Sequence, residues 1–334
     1  MPARPLVVVT DHLAEAGVEK PVLDGVADVL LLQTNDGDDV IRRGTDADIL
    51  LVYHDIQLTE RVIAALPKCR AIIRCGVGYD NVDLRAAGSR GIVVCNVPDY
   101  GTEEVADHAI LMLLATTRRL LPCDSAIRAG TWEVAPAVGT PRLRGRTLGL
   151  IGLGRIGTAT AIRAKAFGLR VVFYDPYLPD GVEKAIGIER AVRLEELLPQ
   201  CDFVSVHCFL SRETRHILNE KTLSLLPRGA YVVNTARGGC IDLDALYQAL
   251  ESGQLAYAGL DVVEREPLDD ERIRAHPRVI LTPHTAFYSV EGFAEMRTKG
   301  AMEARRVILG EPVRNPVNLH CLTGARAVVQ SGPK

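Results

Sequence analysis

Two series of short apolar runs, rich in β-branched residues and separated by helical stretches, constrain this chain more than any other feature. The first lies at 6–9, 29–32, 49–52, 71–73 and 92–94, and the second at 147–151, 170–174, 203–206, 230–233, 256–260 and 279–281. The runs are nearly continuous in Val, Ile and Leu instead of alternating with polar residues, which is the pattern of parallel strands buried on both faces. Parallel strands need crossover connections, and the intervening helices supply right-handed ones. The expected fold class is α/β, built on doubly wound parallel sheets. At 334 residues the chain suits two domains of about 150 residues each.

Two long helical patterns, 102–121 and 289–309, bracket the second series. The simplest arrangement places one domain, residues 101–288, in the middle of the chain. Residues 1–100 and 289–334 then form a second, discontinuous domain, with the active site expected in the cleft between the two. Segment 131–146 contains Pro136, Gly139, Pro141 and Gly145 and reads as a surface loop. Residues 331–334 read as a frayed tail.

Composition removes several function classes. Lys plus Arg number 39 against 42 Asp plus Glu, a net charge of −3, so no electrostatic argument favours a nucleic acid or an anionic membrane as partner. The apolar stretch 109–115 is flanked by His108, Arg118 and Arg119, whereas a bilayer span needs about 20 apolar residues. The run 6–9 stops at Thr10 and Asp11, short of the roughly 7–15 apolar residues of an export signal. The eight cysteines are scattered with no C-x-x-C pair. They are expected to be free thiols in a reducing compartment, which makes the expected location cytoplasmic and provides no metal-ligand spacing.

The sharpest local motif is Gly152-Leu153-Gly154-Arg155-Ile156-Gly157, between the run 147–151 and a helical stretch at 158–167. The first glycine suits a tight turn, the second lets backbone approach a pyrophosphate, and the third lets helix and strand pack closely. A helix N-terminus presents free N–H groups and partial positive charge to the phosphates. Asp175 ends the next run, where an acidic residue accepts from the ribose hydroxyls of NAD and repels the 2′-phosphate of NADP. A plain strand–helix turn is the alternative, and the downstream strand with its terminal Asp175 favours dinucleotide binding.

Three more residues follow strands of the second series: Arg237 after 230–233, Glu266 after 256–260, and His284 after 279–281. Carboxyl ends of parallel strands share one sheet edge, where ligands bind. An arginine holds a carboxylate by two parallel hydrogen bonds, and a histidine partnered by a carboxylate suits proton transfer near neutral pH. Singly, Arg237 also reads as a surface ion pair, Glu266 as a solvated charge and His284 as a core histidine. Their joint placement with a dinucleotide motif favours the functional reading.

Along nearly its whole length the chain resembles the D-isomer-specific 2-hydroxyacid dehydrogenase family. The matching stretches include 74–83 (RCGVGYDNVD), 148–175, 206–219, 233–242, 258–267 and 281–285. The closest likeness is to the C-terminal binding protein branch, through 162–181 (IRAKAFGLRVVFYDPYLPDG) and 282–289 (TPHTAFYS). The resemblance implies a Rossmann NAD-binding domain inserted into a discontinuous, flavodoxin-like substrate domain, and a homodimer. It implies Arg237 as the clamp on the substrate carboxylate and carbonyl, His284 as the acid/base and Glu266 as its supporting carboxylate. Thr235, Ala236 and Asp261 match nicotinamide-side positions, with Arg237 and His284 counted among the cofactor contacts as well, Arg155 and Ile156 the pyrophosphate turn, and Arg74 with Gly76, Val77 and Gly78 the substrate-carboxylate loop.

One departure bears on the substrate. The C-terminal binding proteins place a tryptophan three residues after the histidine, where this chain has Phe287 followed by Tyr288. An aromatic wall there narrows the pocket toward an apolar substrate side chain, unless Phe287 packs in the core between the domains. The leading reading is an NAD-dependent enzyme interconverting a small 2-keto acid and a D-2-hydroxy acid. The alternative is an NAD-gated, corepressor-like scaffold with weak catalysis. His207 and His216 are expected to be structural or close to the cofactor.

Overall fold

The apolar runs form parallel strands, and every pairing between them is parallel. In the computed structural model, residues 4–11 and 13–329 are described; the expected tail at 331–334 lies outside them. The chain divides into two compact units, one made of the residues up to Gly101 and from Ser289 onward, the other of Thr102–Tyr288.

The first unit carries strands β1 (Leu6–Val9), β2 (Asp28–Leu31), β3 (Ile49–Val52), β4 (Ala71–Arg74) and β5 (Val93–Asn96) in the order β2-β1-β3-β4-β5. The four residues of β3 are all fully buried, as a doubly covered strand requires. The helix Val290–Leu309 packs against β3 and β4 and is capped by Ser289, whose hydroxyl accepts from Gly292 N at 2.8 Å. Its Arg297 donates to both carboxylate oxygens of buried Glu19, at 2.8 and 2.7 Å. The edge of β5 is covered by residues 315–318. Val317 N donates to Val94 O at 2.8 Å, and Asn318 accepts from Val94 N and donates to Ile92 O, both at 2.9 Å. That pairing satisfies an edge that would otherwise expose its backbone groups.

The second unit carries β6 (Thr147–Ile151), β7 (Arg170–Tyr174), β8 (Glu189–Arg190), β9 (Phe203–Val206), β10 (Ala230–Asn234), β11 (Leu255–Leu260) and β12 (Val279–Leu281). Their order is β12-β11-β10-β9-β6-β7-β8. The chain winds outward from β6 through β7 and β8, then crosses to β9 on the other side. The crevice beyond the carboxyl ends of β6 and β9 is therefore a topological switch point, the place where open α/β sheets bind ligands.

Two local expectations are corrected. The helical pattern 102–121 is two helices, Thr102–Thr117 and Leu120–Arg128, parted at Arg119, whose φ of 52° is left-handed. Pro122 is the cause: inside a continuous helix its ring would clash with a carbonyl one turn back, whereas in the first turn of a new helix it is tolerated. The helix after the glycine motif begins at Arg155, not at 158. The edge strand β8 was not anticipated, because its two charged residues carry no apolar signal. All eight cysteines are free thiols, and among the described residues no helix is long and apolar enough to cross a membrane.

Candidate active site

The glycine motif turns the chain from β6 into the helix Arg155–Ala166. Gly152 has φ +93°, and a Cβ there would stand 2.7 Å from the backbone N of Cys208. A Cβ on Gly157 would stand 2.5 Å from the carbonyl oxygen of Gly152, so the third glycine lets the helix close onto the turn. Gly154 differs: nothing lies within 4 Å of its Cβ position. It caps the helix without a side-chain hydrogen bond, leaving the N-terminal amides to an incoming anion. Arg155 is exposed and Ile156 half-buried at the first two helical positions. Asp175 follows β7, its carboxylate oriented by Leu153 N and Tyr177 N, each donating at 3.0 Å. Nearby, the Tyr177 hydroxyl bonds Glu213.

After β10 the chain is held by buried Asn234. Its Oδ1 accepts from Ala236 N at 3.0 Å and its Nδ2 donates to Arg237 O at 2.9 Å. Arg237 Nη1 donates to Ala236 O at 2.8 Å. Thr235 is buried and its hydroxyl has no hydrogen-bond partner, an arrangement that suits a hydroxyl facing a ligand. A Cβ on Gly238 would lie 1.9 Å from the carbonyl carbon of Val263, so only glycine lets the Arg237 loop pack against the loop after β11. The open turn at Gly154, the oriented Asp175 and the orphaned Thr235 hydroxyl together fit a dinucleotide.

Glu266 and His284 meet at this edge, with His284 Nδ1 2.7 Å from Glu266 Oε2. The other Glu266 oxygen accepts from Val263 N at 3.2 Å. Burial pushes the Glu266 carboxyl up, but the His284 hydrogen bond and charge, the Val263 amide and the Arg237 charge outweigh it and leave the group below its ordinary value. His284 has φ +53°, uncommon for a residue other than glycine. Asp261, 2% exposed at the end of β11, grips this loop. Its Oδ1 accepts from Thr282 Oγ1 at 2.5 Å and Thr285 N at 2.9 Å, and its Oδ2 from Ala286 N at 3.0 Å. Phe287 stands edge-on to His284, with ring centroids 6.4 Å apart.

Arg237, Glu266, His284, Asp261, Thr235, Ala236 and the glycine motif thus all lie at the carboxyl edge of one sheet. Arg74, Gly76, Val77 and Gly78 lie at the carboxyl end of β4 in the other unit. There the Arg74 guanidinium is folded over Gly76, where a Cβ would stand 1.4 Å from Nη1. Val77 is exposed and Gly78 half-buried. His207 sits beneath the glycine turn with Nε2 2.8 Å from Ser205 Oγ, and burial lowers its pKa to about 4. It is neutral at physiological pH and cannot serve as the acid there. His216 pairs with Glu264, stapling the loop after β9 to the loop after β11. Sequence reasoning passed over Asn234, Thr282 and His108, all of which brace these loops.

A family model described as the NAD-binding domain of the D-isomer specific 2-hydroxyacid dehydrogenases matches residues 110–286. The chain is 42% identical over 287 residues to a glyoxylate reductase of Korarchaeum cryptofilum, covering 84% of this chain and 85% of that one. It is 37% identical over 313 residues to a D-3-phosphoglycerate dehydrogenase of Methanocaldococcus jannaschii, covering 94% of this chain but only 59% of that relative's length. Among solved structures, an NADPH-dependent glyoxylate/hydroxypyruvate reductase of Sinorhizobium meliloti, in complex with NADP and malonate, superposes with a TM-score of 0.85 at 31% identity, covering 98% of this chain and all of that one. Sequence and fold agree along both units, and the chain belongs to the D-isomer specific 2-hydroxyacid dehydrogenase family.

Proposed function

We propose that this chain is an NAD-dependent dehydrogenase interconverting a small 2-keto acid and its D-2-hydroxy acid. The observation that carries the reading is the His284–Glu266 pair at 2.7 Å, set beside Arg237 on the edge that also holds the dinucleotide turn. With Nδ1 tied to the carboxylate, His284 Nε2 exchanges a proton with the substrate oxygen: it donates in reduction and accepts in oxidation. Arg237 clamps the substrate carboxylate and neutralises charge growing on the oxygen. In the other unit, Arg74 and the Gly76–Gly78 backbone at the carboxyl end of β4 are the residues proposed to bind a substrate carboxylate. Thr235, Ala236 and Asp261 serve the nicotinamide side, and the nicotinamide, when bound, supplies the hydride to the carbonyl carbon.

The test is NADH oxidation against a panel of 2-keto acids: glyoxylate, hydroxypyruvate, phosphohydroxypyruvate, and branched and aromatic members. Turnover of at least one is expected. Tight NADH binding with no turnover on any of them would return the chain to the scaffold reading. The names of the relatives put glyoxylate and hydroxypyruvate first, while Phe287 beside His284 makes the larger apolar acids the informative comparison.

Glu266 supplies a pH prediction. Because its carboxyl lies below the ordinary glutamate value, the pair keeps its negative member until the pH falls well into the acid range. Glu266→Gln removes the charge that favours a protonated imidazole. The pH profile of reduction should shift toward acid, read from kcat/KM against pH. An unchanged profile would refute the pairing.

Preference for NAD rests on Asp175, whose carboxylate is fixed by two backbone amides. Two unit charges about 4 Å apart interact by roughly 4 kcal/mol at a near-surface effective dielectric, and salt screening reduces this. About a third of that value still gives a roughly tenfold preference against a 2′-phosphate. Asp175→Ala should narrow the NADH/NADPH ratio of kcat/KM, chiefly through KM. Since the Sinorhizobium meliloti relative is NADPH-dependent, the wild-type ratio is measured first, and a preference for NADPH there ends the proposal.

The reading extends to a homodimer, to cytoplasmic residence and to nearness to the C-terminal binding protein branch, the last resting on the wording of 162–181 and 282–289. A pairing surface is supported by the stretch 120–138, which exposes Leu120, Leu121, Ile127, Trp132, Val134 and Val138, more apolar side chain than a solvated arm needs. Sedimentation equilibrium returning the monomer mass at micromolar concentration would contradict it.

A further inference from the structure

His108, on the helix Thr102–Thr117, has its Nε2 3.0 Å from Thr282 Oγ1 and 3.8 Å from Asp261 Oδ1. Thr282 has one hydroxyl proton, and the Asp261 carboxylate takes it at 2.5 Å, the charge-assisted bond being the stronger of the two open to it. His108 Nε2 must then carry a proton and donate it to the Thr282 oxygen, so the hydrogen-bond pattern sets the tautomer. Asp261 gathers the Thr282 hydroxyl and the amides of Thr285 and Ala286 on its carboxylate, and its carbonyl accepts from His284 N at 2.8 Å. One buried residue thus holds the chain immediately before, at and after His284. That hold maintains His284 at φ +53°, a conformation a non-glycine residue keeps only when its surroundings enforce it.

We infer that His108 and Thr282 are positioning residues for the acid/base: His108 orients the Thr282 hydroxyl, and the hydroxyl completes the donor set through which Asp261 fixes the His284 loop. The inference rests on the reading of His284 as the acid/base. Neither His108 nor Thr282 exchanges a proton with substrate. Their effect is on where the imidazole stands, and displacing a reacting group by about 1 Å lowers rates by up to about 100-fold.

The test measures kcat and KM, with the keto acid that the wild type turns over fastest, and thermal unfolding in parallel. Thr282→Val keeps the shape and removes the donor, and kcat should fall by about tenfold or more. Thr282→Ser restores the hydroxyl and should recover most of the loss. His108→Gln, whose amide can donate to the Thr282 oxygen, should fall less than His108→Leu. The double variant His108→Leu/Thr282→Val should be no slower than Thr282→Val alone, since one residue acts through the other. A fully active Thr282→Val, a serine variant as slow as the valine one, or multiplicative losses in the double variant would each overturn the inference. If Thr282→Val does not fold, the Leu and Gln variants at 108, both good helix formers, decide the matter. His284→Ala separates the two levels. If it retains turnover, the acid/base reading falls and takes the inference with it. If it loses turnover while Thr282→Val does not, only the inference falls.

Discussion

His284→Ala should lower kcat by roughly 10²–10⁴-fold while NADH still binds, the range expected when a general acid is removed. The geometry argues that the loss is chemical and not structural. The backbone of residue 284 donates to Asp261 O at 2.8 Å and to Thr282 O at 3.1 Å, and both bonds survive truncation of the side chain. Asp261 also keeps its grip on Thr282, Thr285 and Ala286, none of which depends on the imidazole. Left-handed backbone disfavours alanine more than histidine, so His284→Asn is the companion variant: asparagine, like histidine, enters that region more readily. Asn cannot transfer a proton at neutral pH, and it should be as slow as alanine despite its better backbone fit. Stopped-flow NADH binding and steady-state kcat read the two halves separately. Near-wild-type turnover in either variant would remove His284 from the role.

How much of this was legible in the sequence depends on the range over which each feature acts. Doubly buried strands announce themselves, because every residue of β3 or β6 faces a core and must be apolar or small. The glycine turn is legible for a similar reason: Gly152 and Gly157 answer steric demands of the packed backbone. Arg237, Glu266 and His284 stood out through their places just after strands, which topology alone brings to one edge. The break at Arg119 was readable in Pro122 and was overlooked beneath a strong helical period. The edge strand β8 carries no apolar signal. The brace behind His284 could not be read at all, since His108 and Thr282 lie 174 positions apart and meet only after the sheet has formed. Nor could the left-handed backbone at His284, which no glycine or turn signal marks in the sequence.

Arg237→Lys should remain severely impaired, by roughly 10²–10³-fold in kcat/KM for the keto acid, the scale seen when a single donor to a developing oxyanion is lost. Lysine keeps the charge but presents a compact ammonium in place of a planar fork, and one point charge cannot hold carboxylate and carbonyl oxygens by parallel hydrogen bonds. The surrounding loop cannot move to compensate. Asn234 clasps it from both sides with bonds of 2.9 and 3.0 Å, and Gly238 is pressed so closely on Val263 that a single Cβ would stand 1.9 Å from its carbonyl carbon. The guanidinium is itself steered by the bond from Nη1 to Ala236 O, which a lysine at this position would make only by turning its one nitrogen away from substrate. NADH affinity should be little changed, because the glycine turn and Asp175 lie on other strands. The loss should therefore appear in kcat and in the KM for keto acid, not in cofactor binding. If Arg237→Lys instead restores full kcat/KM, simple neutralisation of charge is sufficient and the bidentate clamp is wrong.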